Sequence, residues 1–399
     1  MKTSKWLMGC AIGCVALVVL AVVGGFLGYR YYVKPMMSQF MGNPGDIGPP
    51  GVVKGAGLLT QSIYFSDPRL GSVTDIALGR LDPTSGVALG VAGVNGAAFL
   101  DATGNVKSTV QFASTFRRIS FVDVEGDGVC EFMERGSWGS NAALLNHAGK
   151  VLWTYGGSRP GVDDMAAGDL DGDGKLEFVV GFNGSGGVHL LDRAGVARWQ
   201  RPDSNVWHVE IVDVNGSGYP EIVHSNAAGQ LTVRDAVGSI VSQTQPSAAA
   251  SGAKIYFSHF SLCHWPTPAS RPLLLTPGMN SLLVFDIAGK LQATFDAPKV
   301  GLLAEAIGTP VKLQRNAPAY FAAAVTFMPG DRSLLFFYDA NKALVYQEVL
   351  PETCQTLAAL PLGKTGAEAL LVGGEGKVWE YCASPGSKSA NAVTATSSR

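Results

Sequence analysis

The chain has 399 residues, of which 47% are hydrophobic and only 16% are charged. This composition is too apolar for a disordered protein, and a formal net charge of −2 offers no basic surface to attract nucleic acid. Fifty glycines without a collagen period indicate many tight turns between short strands, so we expect an all-β fold.

The first element in the chain is a long apolar segment. Residues 6–28 contain no charged side chain, and a helix of this length, at about 1.5 Å per residue, crosses the ~30 Å hydrocarbon core of a bilayer. We predict a transmembrane signal-anchor there, with residues 1–5 in the cytoplasm because positive charges before the segment outnumber those just after it. The rest of the chain then lies in the periplasm or at the cell surface. Cleavage as a signal peptide is the alternative and would make the protein secreted.

Two segments flank the main domain. Residues 29–52 are rich in glycine and proline, and their three Gly-X-Y triplets are too few for a triple helix, so we expect an extended linker. Residues 384–399 contain mostly Ser, Ala, Thr and Lys without periodicity, which predicts a disordered tail. Residues 53–383 are left as the folded domain.

An internal repeat organises this domain. In six copies a short apolar strand ends at a small polar residue, a turn follows, and a second strand begins. The polar residues that mark the copies are Asp101, Asn146, Asp192, Asp235, Asp286 and Asp339. Their spacings of 45, 46, 43, 51 and 53 residues are typical of the four-stranded blades of a β-propeller.

A seventh blade can be assembled from both ends of the domain. Segments beginning at Cys354, Ala367 and Lys377 supply three strands, and the segment beginning at Gly57 supplies the missing fourth. Closing the ring in this way removes exposed sheet edges. We therefore predict a seven-bladed propeller, with six or eight blades as the alternatives.

Three acidic nonapeptides precede hairpins of the second, third and fourth repeats. Their candidate ligands at positions 1, 3, 5, 7 and 9 are Asp169, Asp171, Asp173, Lys175 and Glu177; Asp123, Glu125, Asp127, Val129 and Glu131; and Asp213, Asn215, Ser217, Tyr219 and Glu221. Side-chain oxygens at positions 1, 3, 5 and 9, with the backbone carbonyl at position 7, can surround a Ca²⁺ ion that prefers 6 to 8 oxygens. Glycines at positions 4 and 6 permit the sharp turn.

The sequence thus predicts one to three calcium ions, and the loop that starts at Asp169 is the strongest site. The loop at Asp213 is weaker because Asn215 and Ser217 reduce its charge. The alternative is that all three loops are solvated Asp/Gly turns. An EF-hand is rejected because Gly- and Ser-rich sequence follows the first loop where a helix would be needed.

These loops, together with the sequence EFVVGFNGSGG after the second one, resemble the FG-GAP or VCBS repeats of integrin-alpha-like propellers. The resemblance covers residues 116–245, and the later blades match in hairpin pattern only. It implies that the metal loops join the first and second strands of a blade and stabilise it. It further implies that partners bind the opposite face, in adhesion or recognition.

The lack of common catalytic motifs in the sequence favours a binding protein over an enzyme. The chain contains no Gly-x-Ser-x-Gly and no His-Glu-x-x-His sequence. His259, Cys263 and His264 are close enough for a soft-metal site, although a buried strand is the simpler interpretation. Cys354 and Cys382 are a candidate disulfide that would link the strands of the last blade.

Three residues are candidate partner contacts on the face opposite the metal loops. They are Trp138, in a Gly/Ser loop, and Trp207 with His208, near the crossover into blade 4. A protein or glycan ligand is expected, with no nucleic acid. The rival hypotheses are an extracytoplasmic lyase or hydrolase, which needs titratable groups with perturbed pKa values at one mouth of the central channel, and a scaffold for envelope assembly.

Overall fold

The computed structural model describes residues 28, 30–31, 47–79, 81–84, 86–136, 141–156, 161–247, 259–268, 270–301, 304–327 and 332–385. Within these residues the fold is all-β, and the strands form seven sheets arranged as the blades of a propeller. The predicted seven-bladed propeller is therefore confirmed. Two short 3-10 turns, Pro68–Leu70 and Gly363–Thr365, lie between strands.

The strands follow the chain blade by blade. Strands β1 (Gly51–Lys54) and β2 (Leu59–Ser66) come first and join blades formed by the end of the chain. Blade 1 contains β3 (Val73–Leu78), β4 (Leu89–Gly93), β5 (Gly96–Leu100) and β6 (Val106–Gln111). Blade 2 contains β7 (Ile119–Val122), β8 (Glu131–Glu134), β9 (Ala142–Leu145) and β10 (Val151–Tyr155), and blade 3 contains β11 (Val162–Gly168), β12 (Glu177–Phe182), β13 (Gly187–Leu191) and β14 (Ala197–Arg201).

The second half of the ring is built in the same way. Blade 4 contains β15 (His208–Val212), β16 (Glu221–Ser225), β17 (Leu231–Arg234) and β18 (Ile240–Thr244), and blade 5 contains β19 (Ser261–His264), β20 (Pro272–Gly278), β21 (Ser281–Phe285) and β22 (Leu291–Asp296). Blade 6 contains β23 (Glu305–Val311), β24 (Tyr320–Thr326), β25 (Ser333–Tyr338) and β26 (Leu344–Val349). Blade 7 contains β27 (Leu357–Pro361), β28 (Glu368–Gly373) and β29 (Lys377–Ala383).

The repeat markers of blades 1 to 6 shape the turns between the third and fourth strands. In blade 3, one carboxylate oxygen of Asp192 accepts hydrogen bonds from the backbone N–H groups of Ala194 and Val196, both at 2.9 Å. Gly195 completes this turn with a φ of 77°, a conformation that costs glycine nothing. The sixth copy differs, since Lys342 adopts a φ of 66° at the position that glycine occupies in the earlier copies.

The N-terminal part of the domain closes the ring. Strand β2 pairs antiparallel with β29 from Leu59 opposite Ala383 to Ser66 opposite Lys377, and so supplies the fourth strand of blade 7. The predicted closure by the segment that begins at Gly57 is confirmed. Folding of blade 7 therefore requires the two ends of the domain to meet.

Strand β1 adds a fifth, outermost strand to blade 6. It pairs antiparallel with β26, with Gly51 opposite Val349. Just before it, Ile47 is only 5% exposed and packs in the core between blades 5 and 6. The folded domain thus begins a few residues earlier than residue 53, the start expected from sequence.

The hydrophobic core is divided among the interfaces between blades. Between blades 5 and 6, the rings of Phe295 and Phe321 stack at 5.1 Å, and Phe295 lies 4.7 Å from Tyr338. Buried aromatic side chains contribute large apolar areas to such interfaces. Each blade is stabilised mainly by the two blades that it touches.

Polar side chains join the innermost strands of neighbouring blades at a constant spacing. Thr74 donates to the carbonyl of Ile119, and Ser261 to that of Ala306, both at 2.7 Å, while the carboxylate of Asp164 accepts from the N–H of Val209 at 3.1 Å. Each pair is 45 residues apart in sequence. These bonds satisfy backbone groups that the open inner edge of each sheet would otherwise leave unpaired.

Five sequence expectations concern residues that lie wholly or largely outside the described parts of the chain. Among the described residues, no helix is both long enough and apolar enough to cross a membrane. The predicted anchor at residues 6–28 falls outside them apart from Gly28, as do residues 1–5, most of the linker and nearly all of the tail. Trp138 also lies outside the described residues.

The candidate disulfide between Cys354 and Cys382 is not formed in the structure. All four cysteines of the described domain are free thiols. Cys354 is buried with its Sγ 3.3 Å from the carbonyl of Thr356, whereas Cys382 lies in β29 opposite Thr60. The two side chains therefore belong to different surroundings, and burial raises the pKa of the Cys354 thiol to about 12.

Ring closure can be tested by a matched pair of substitutions in β2. Phe65 is 6% exposed and packs against blades 7 and 1, whereas Ile63 on the same strand is 56% exposed. We expect Phe65→Ala to lower the free energy of unfolding by about 3–5 kcal/mol and Ile63→Ala to change it by less than about 0.5 kcal/mol. Urea unfolding followed by tryptophan fluorescence measures both. Equal effects of the two substitutions would contradict closure by this strand.

Candidate functional site

The antiparallel order of the strands defines two faces of the ring. The loop face carries the connections between first and second strands and the turns between third and fourth strands. The crossover face carries the other loops and the connections into the next blade. The three acidic loops connect β7 to β8, β11 to β12 and β15 to β16, so all three lie on the loop face.

Each acidic loop is folded around its first aspartate. In the second loop, Oδ1 of Asp169 accepts from the N–H of Gly172 at 2.8 Å and of Asp173 at 3.1 Å, and Oδ2 accepts from Gly174 at 2.9 Å. Asp123 and Asp213 make the same three bonds in the other two loops. The carboxylate at the first position therefore orders the loop by accepting hydrogen bonds from the loop backbone.

The last position of the second loop presents a buried carboxylate. Glu177 is 1% exposed, and its Oε2 accepts from the N–H of Leu170 at 3.0 Å. No hydrogen bond reaches its Oε1, and burial raises the pKa of this carboxyl. Ligand oxygens of Asp169, Asp171 and Glu177 lie within 4.8 Å of one another. A buried carboxylate oxygen that accepts no hydrogen bond, beside two further carboxylates, is a donor set suited to a hard cation.

Two predicted ligands of this loop make a different contact. The ammonium group of Lys175 lies 3.0 Å from Oδ2 of Asp173, and both side chains are exposed. Asp173 is not part of the cluster of close carboxylate oxygens. The structure thus brings together positions 1, 3 and 9 and leaves position 5 at the rim.

A basic side chain that the sequence did not single out contacts the same carboxylates. Nη1 of Arg198 lies 3.0 Å from Oδ2 of Asp171 and 3.0 Å from Oε1 of Glu177, although its geometry makes a hydrogen bond only to Asp171. Arg198 is an extra residue in β14, because Leu190 pairs with Trp199 and Leu191 with Ala197. Such a β-bulge re-aims the side chain that it contains.

The carboxylates of the first loop do not come together as those of the second loop do. Glu125 is drawn outward to Arg193 of blade 3, with 2.9 Å between its carboxylate and Nη1. Oε2 of Glu131 accepts from the N–H of Val124 at 3.0 Å, and burial raises the pKa of this carboxyl. In the described residues only the second loop groups three carboxylates closely.

The third loop satisfies its own acceptors. The amide of Asn215 donates to Oε1 of Glu221 at 2.6 Å, and the hydroxyl of Ser217 donates to the carbonyl of Tyr219 at 3.1 Å. Both acceptors are oxygens that a cation would need. The exposed ring of Tyr219 lies against Gly172 of the second loop, where an added Cβ would come within 2.8 Å of it.

The crossover face contains the remaining candidate contacts. Trp207 is half-buried, and its ring stacks on that of His259 with 5.7 Å between centroids. His208 begins β15 but is only 5% exposed, so little of its side chain is available for the predicted surface contact. Its ring packs edge-on against Phe260 at 4.5 Å. The soft-metal alternative also lacks support, because Cys263 is buried and the Nδ1 of His264 contacts the carbonyl of Ser270 at 2.7 Å.

His208 belongs to a network of charges at the crossover mouth of the channel. Arg135 holds Asp164 in a fork, with contacts of 3.0 and 3.1 Å, and also reaches Glu210 at 3.0 Å. Nδ1 of His208 lies 2.5 Å from Asp164, and its Nε2 lies 3.2 Å from Glu210. Blades 2, 3 and 4 are thereby joined by one set of ion pairs.

Further charges complete this channel-mouth cluster, which comprises Asp75, Arg118, Arg135, Asp164, His208, Glu210, His259 and Glu305. Burial raises the pKa of Asp75 and lowers that of His259. Burial opposes ionisation of Glu305, but the charges of Arg118 and His259 hold its pKa below the ordinary value. The charge of Arg118 acts on groups of four other blades.

Sequence reasoning missed Arg198 and all members of this cluster except His208 and His259. Asp164 and Glu210 are 46 residues apart and lie in the inner strands of successive blades. That spacing is the only signal that could have paired them. Arg198 had no comparable signal, because the bulge that aims it is a property of strand pairing.

Comparisons with known proteins support the fold and nothing finer. No protein-family model matches the chain, and no curated protein matches it either. Among solved structures, the crystal structure of BBS1N in complex with ARL6DN, soaked with mercury, is similar at a TM-score of 0.53 and 14% identity, over 82% of this chain and 98% of that chain. The lead-soaked crystal of the same complex gives a TM-score of 0.51 at 15% identity with the same coverage. The Neurospora crassa Pan2 WD40 domain gives 0.47 at 12% identity, over 82% and 97% of the two chains.

The channel-mouth cluster predicts a pH-dependent stability. Burial opposes protonation of His208, but the charge and hydrogen bond of Asp164 raise its pKa above 6.5. Its contribution is therefore complete below about pH 6.5 and is lost as the pH rises through the raised value. We expect the difference in unfolding free energy between wild type and His208→Gln to shrink from about pH 6 to about pH 9.

Urea unfolding across this range measures that difference. The control is His147→Gln, since His147 is exposed in the turn between β9 and β10. A difference for His208→Gln that stays constant with pH would contradict the assignment of a protonated His208.

Proposed function

We propose that this protein is a membrane-anchored, extracytoplasmic β-propeller of the FG-GAP or VCBS type that binds calcium and recognises a protein or glycan partner. The proposal joins three elements with different support. The ring is observed, the calcium site rests on the second acidic loop, and the anchor rests on the apolar segment at residues 6–28.

The observation that carries the calcium proposal is the close grouping of oxygens of Asp169, Asp171 and Glu177, in which the buried Oε1 of Glu177 accepts no hydrogen bond and has Arg198 as its ionic partner. A carboxylate that is 99% buried needs its lone pairs satisfied, and the nearby oxygens of Asp169 and Asp171 can complete part of a calcium shell. Magnesium fits this loop less well, because it demands octahedral geometry and gives up its waters reluctantly. Calcium would join positions 1, 3 and 9 and so tie β11 to β12.

The three loops should not bind calcium with equal affinity. The first loop loses Glu125 to an ion pair with Arg193, and the third loop already pairs Glu221 with Asn215. In the second loop calcium must displace Arg198 from Asp171 and Glu177, but only this loop already groups three carboxylates closely. We therefore expect it to fill first and the other loops to fill only at higher calcium concentration.

Recognition of a partner is supported by the form of the scaffold. A propeller presents its loops rigidly on two faces, and loops on a rigid scaffold are where binding residues concentrate. The similar propeller BBS1N was crystallised in complex with ARL6DN. Together these points favour a protein partner for this chain over a small-molecule substrate.

The channel-mouth cluster favours a second candidate function, a catalytic site of a lyase or hydrolase. Carboxylates and histidines from successive blades converge there with shifted pKa values, which is the arrangement that such an enzyme needs. Most of its members are engaged with one another, and the ion pairs of Arg135 have a structural role. We therefore rank catalysis below recognition.

Calcium binding can be measured through thermal stability of the full chain in detergent. At a free concentration a hundred times the Kd, calcium should add about 2.7 kcal/mol and raise the Tm by several degrees. Asp169→Asn and Glu177→Gln should each abolish most of this gain. Chelation with EGTA should return the wild type to the Tm of its calcium-free form, and an unchanged Tm without bound calcium in metal analysis would refute the proposal.

A gain of binding supplies the matched control. Asn215→Asp replaces the amide that satisfies Glu221 with a carboxylate, so the third loop should bind calcium more tightly than in the wild type. Isothermal titration of the Asp169→Asn chain with and without this second substitution isolates the effect. An identical titration of both chains would show that the third loop is a solvated turn.

The partner class can be tested by crosslinking. Full chain with a photoreactive group on the crossover face near Trp207 should capture a protein from intact cells in the presence of calcium, and a glycan array tests the alternative. The control carries the group at Ile63, an exposed residue at the outer edge of blade 7. The same products from both positions would argue against a specific crossover-face site.

A further inference from the structure

A cavity of about 430 Å³ lies beside the second acidic loop, between blades 3 and 4. Its walls include Asp171 and Glu177 of the loop, Arg198, Trp199 and Arg201 of β14, and Val237 of the following blade. Two carboxylates, two arginines, an aromatic ring and an exposed valine thus surround a space that is large enough for a side chain of a partner.

Arg198 links this cavity to the calcium loop. Its Nη1 contacts Asp171 and Glu177, each at 3.0 Å, and these residues provide two of the three close carboxylates. A divalent cation that binds these oxygens competes with the guanidinium for them and repels it. The side chain is 41% exposed and lines the cavity, so it can move there without entering the core.

The arginine is specific to this blade. The same bulge position holds Leu152 in blade 2 and Val241 in blade 4, the other two blades with acidic loops. Leu152 is 54% exposed and Val241 is 62% exposed. Among the three blades with acidic loops, only blade 3 therefore has a basic side chain at the bulge; blade 1, which has no acidic loop, holds Lys107 there, paired with its own Asp101.

Arg201 supplies a second positive charge on the cavity wall. Its guanidinium lies over the ring of Trp199, 5.2 Å from the centroid, and donates to the carbonyls of Val237 at 2.7 Å and Gln200 at 3.3 Å. Both partners are neutral carbonyls. The ring and the carbonyls hold this cation in place without neutralising it.

The geometry points to an anion site that calcium creates. When calcium occupies the second loop, Arg198 leaves Asp171 and Glu177 and joins Arg201 in the cavity, where the two guanidinium groups bind a carboxylate of an acidic peptide. This inference rests on the proposed calcium site. A planar guanidinium fork matches a carboxylate in two parallel hydrogen bonds.

The cavity lies on the face away from the point where the chain enters the domain, so it is a second binding surface beside the crossover-face contacts near Trp207. Strand β1 starts at Gly51, opposite Val349 at the crossover end of β26. The chain that precedes it, with the predicted anchor, therefore joins the domain at the crossover side, and the loop face with the cavity lies at the other end of the ring.

The test uses a fluorescein-labelled hexaglutamate peptide and a hexaglutamine peptide as its neutral match, with the full chain at constant ionic strength. With calcium, the wild type should bind hexaglutamate at least tenfold more tightly than with EGTA, and hexaglutamine should not bind. Arg198→Gln and Arg201→Gln should each weaken peptide binding at least tenfold. Leu152→Gln, at the same bulge position in blade 2, should leave it unchanged.

Calcium titration of the same variants separates the proposed anion site from the proposed calcium site on which it rests. Arg198→Gln should bind calcium at least as tightly as the wild type, because the competing cation is gone. Weaker calcium binding by this variant, or peptide binding that ignores calcium, would overturn the anion site and leave the calcium site standing. Absence of calcium binding in both proteins would overturn both. Asp169→Asn at the same calcium concentration shows whether any peptide signal comes from calcium bound to the peptide itself.

Discussion

Closure of the ring is the constraint on which the other features depend. Each blade is too thin to bury both of its faces alone, so its apolar side chains are satisfied only by two neighbours, and the last blade requires β2 from the start of the domain. The inner strands present open edges to the channel, and polar side chains such as Thr74 and Ser261 bond across to the next blade at a constant 45-residue separation. The ring is thus held by apolar packing between blades and by hydrogen bonds around its axis.

The same geometry divides the polar residues between two faces with different chemistry. On the loop face, short connections between strands leave room for acidic turns that hydrogen-bond to themselves, and a carboxylate such as Glu177 is buried because it also anchors the loop to the blade. On the crossover face, side chains of six blades converge, so their charged groups lie close together. Arg135 is therefore paired with Asp164 and Glu210, since an unpaired charge at this depth is strongly destabilising.

Arg198 shows how a β-bulge can place one side chain between the acidic loop and a proposed binding site. A regular fourth strand would place successive side chains on alternating faces, but the extra residue in β14 directs a guanidinium to Asp171 and Glu177. This contact neutralises part of the negative charge of the loop. It also places the positive charge between the proposed cation site and a cavity, so that the proposed metal and anion sites share one side chain.

The blade pattern and the acidic loops could be predicted from sequence because they depend on contacts within a few residues. Asp192 accepts from N–H groups two and four positions ahead, and Asp169 from groups three to five positions ahead, so the residues that form each turn are adjacent in the chain. Closure by the segment at Gly57 followed from counting strands. Which side chains meet was decided only by the tertiary structure. The contact of Arg198 with Glu177 depends on a strand register, and the channel-mouth cluster depends on the curvature of the ring. The burial of His208 depends on packing against a neighbouring blade. Packing between segments that are distant in sequence sets all three.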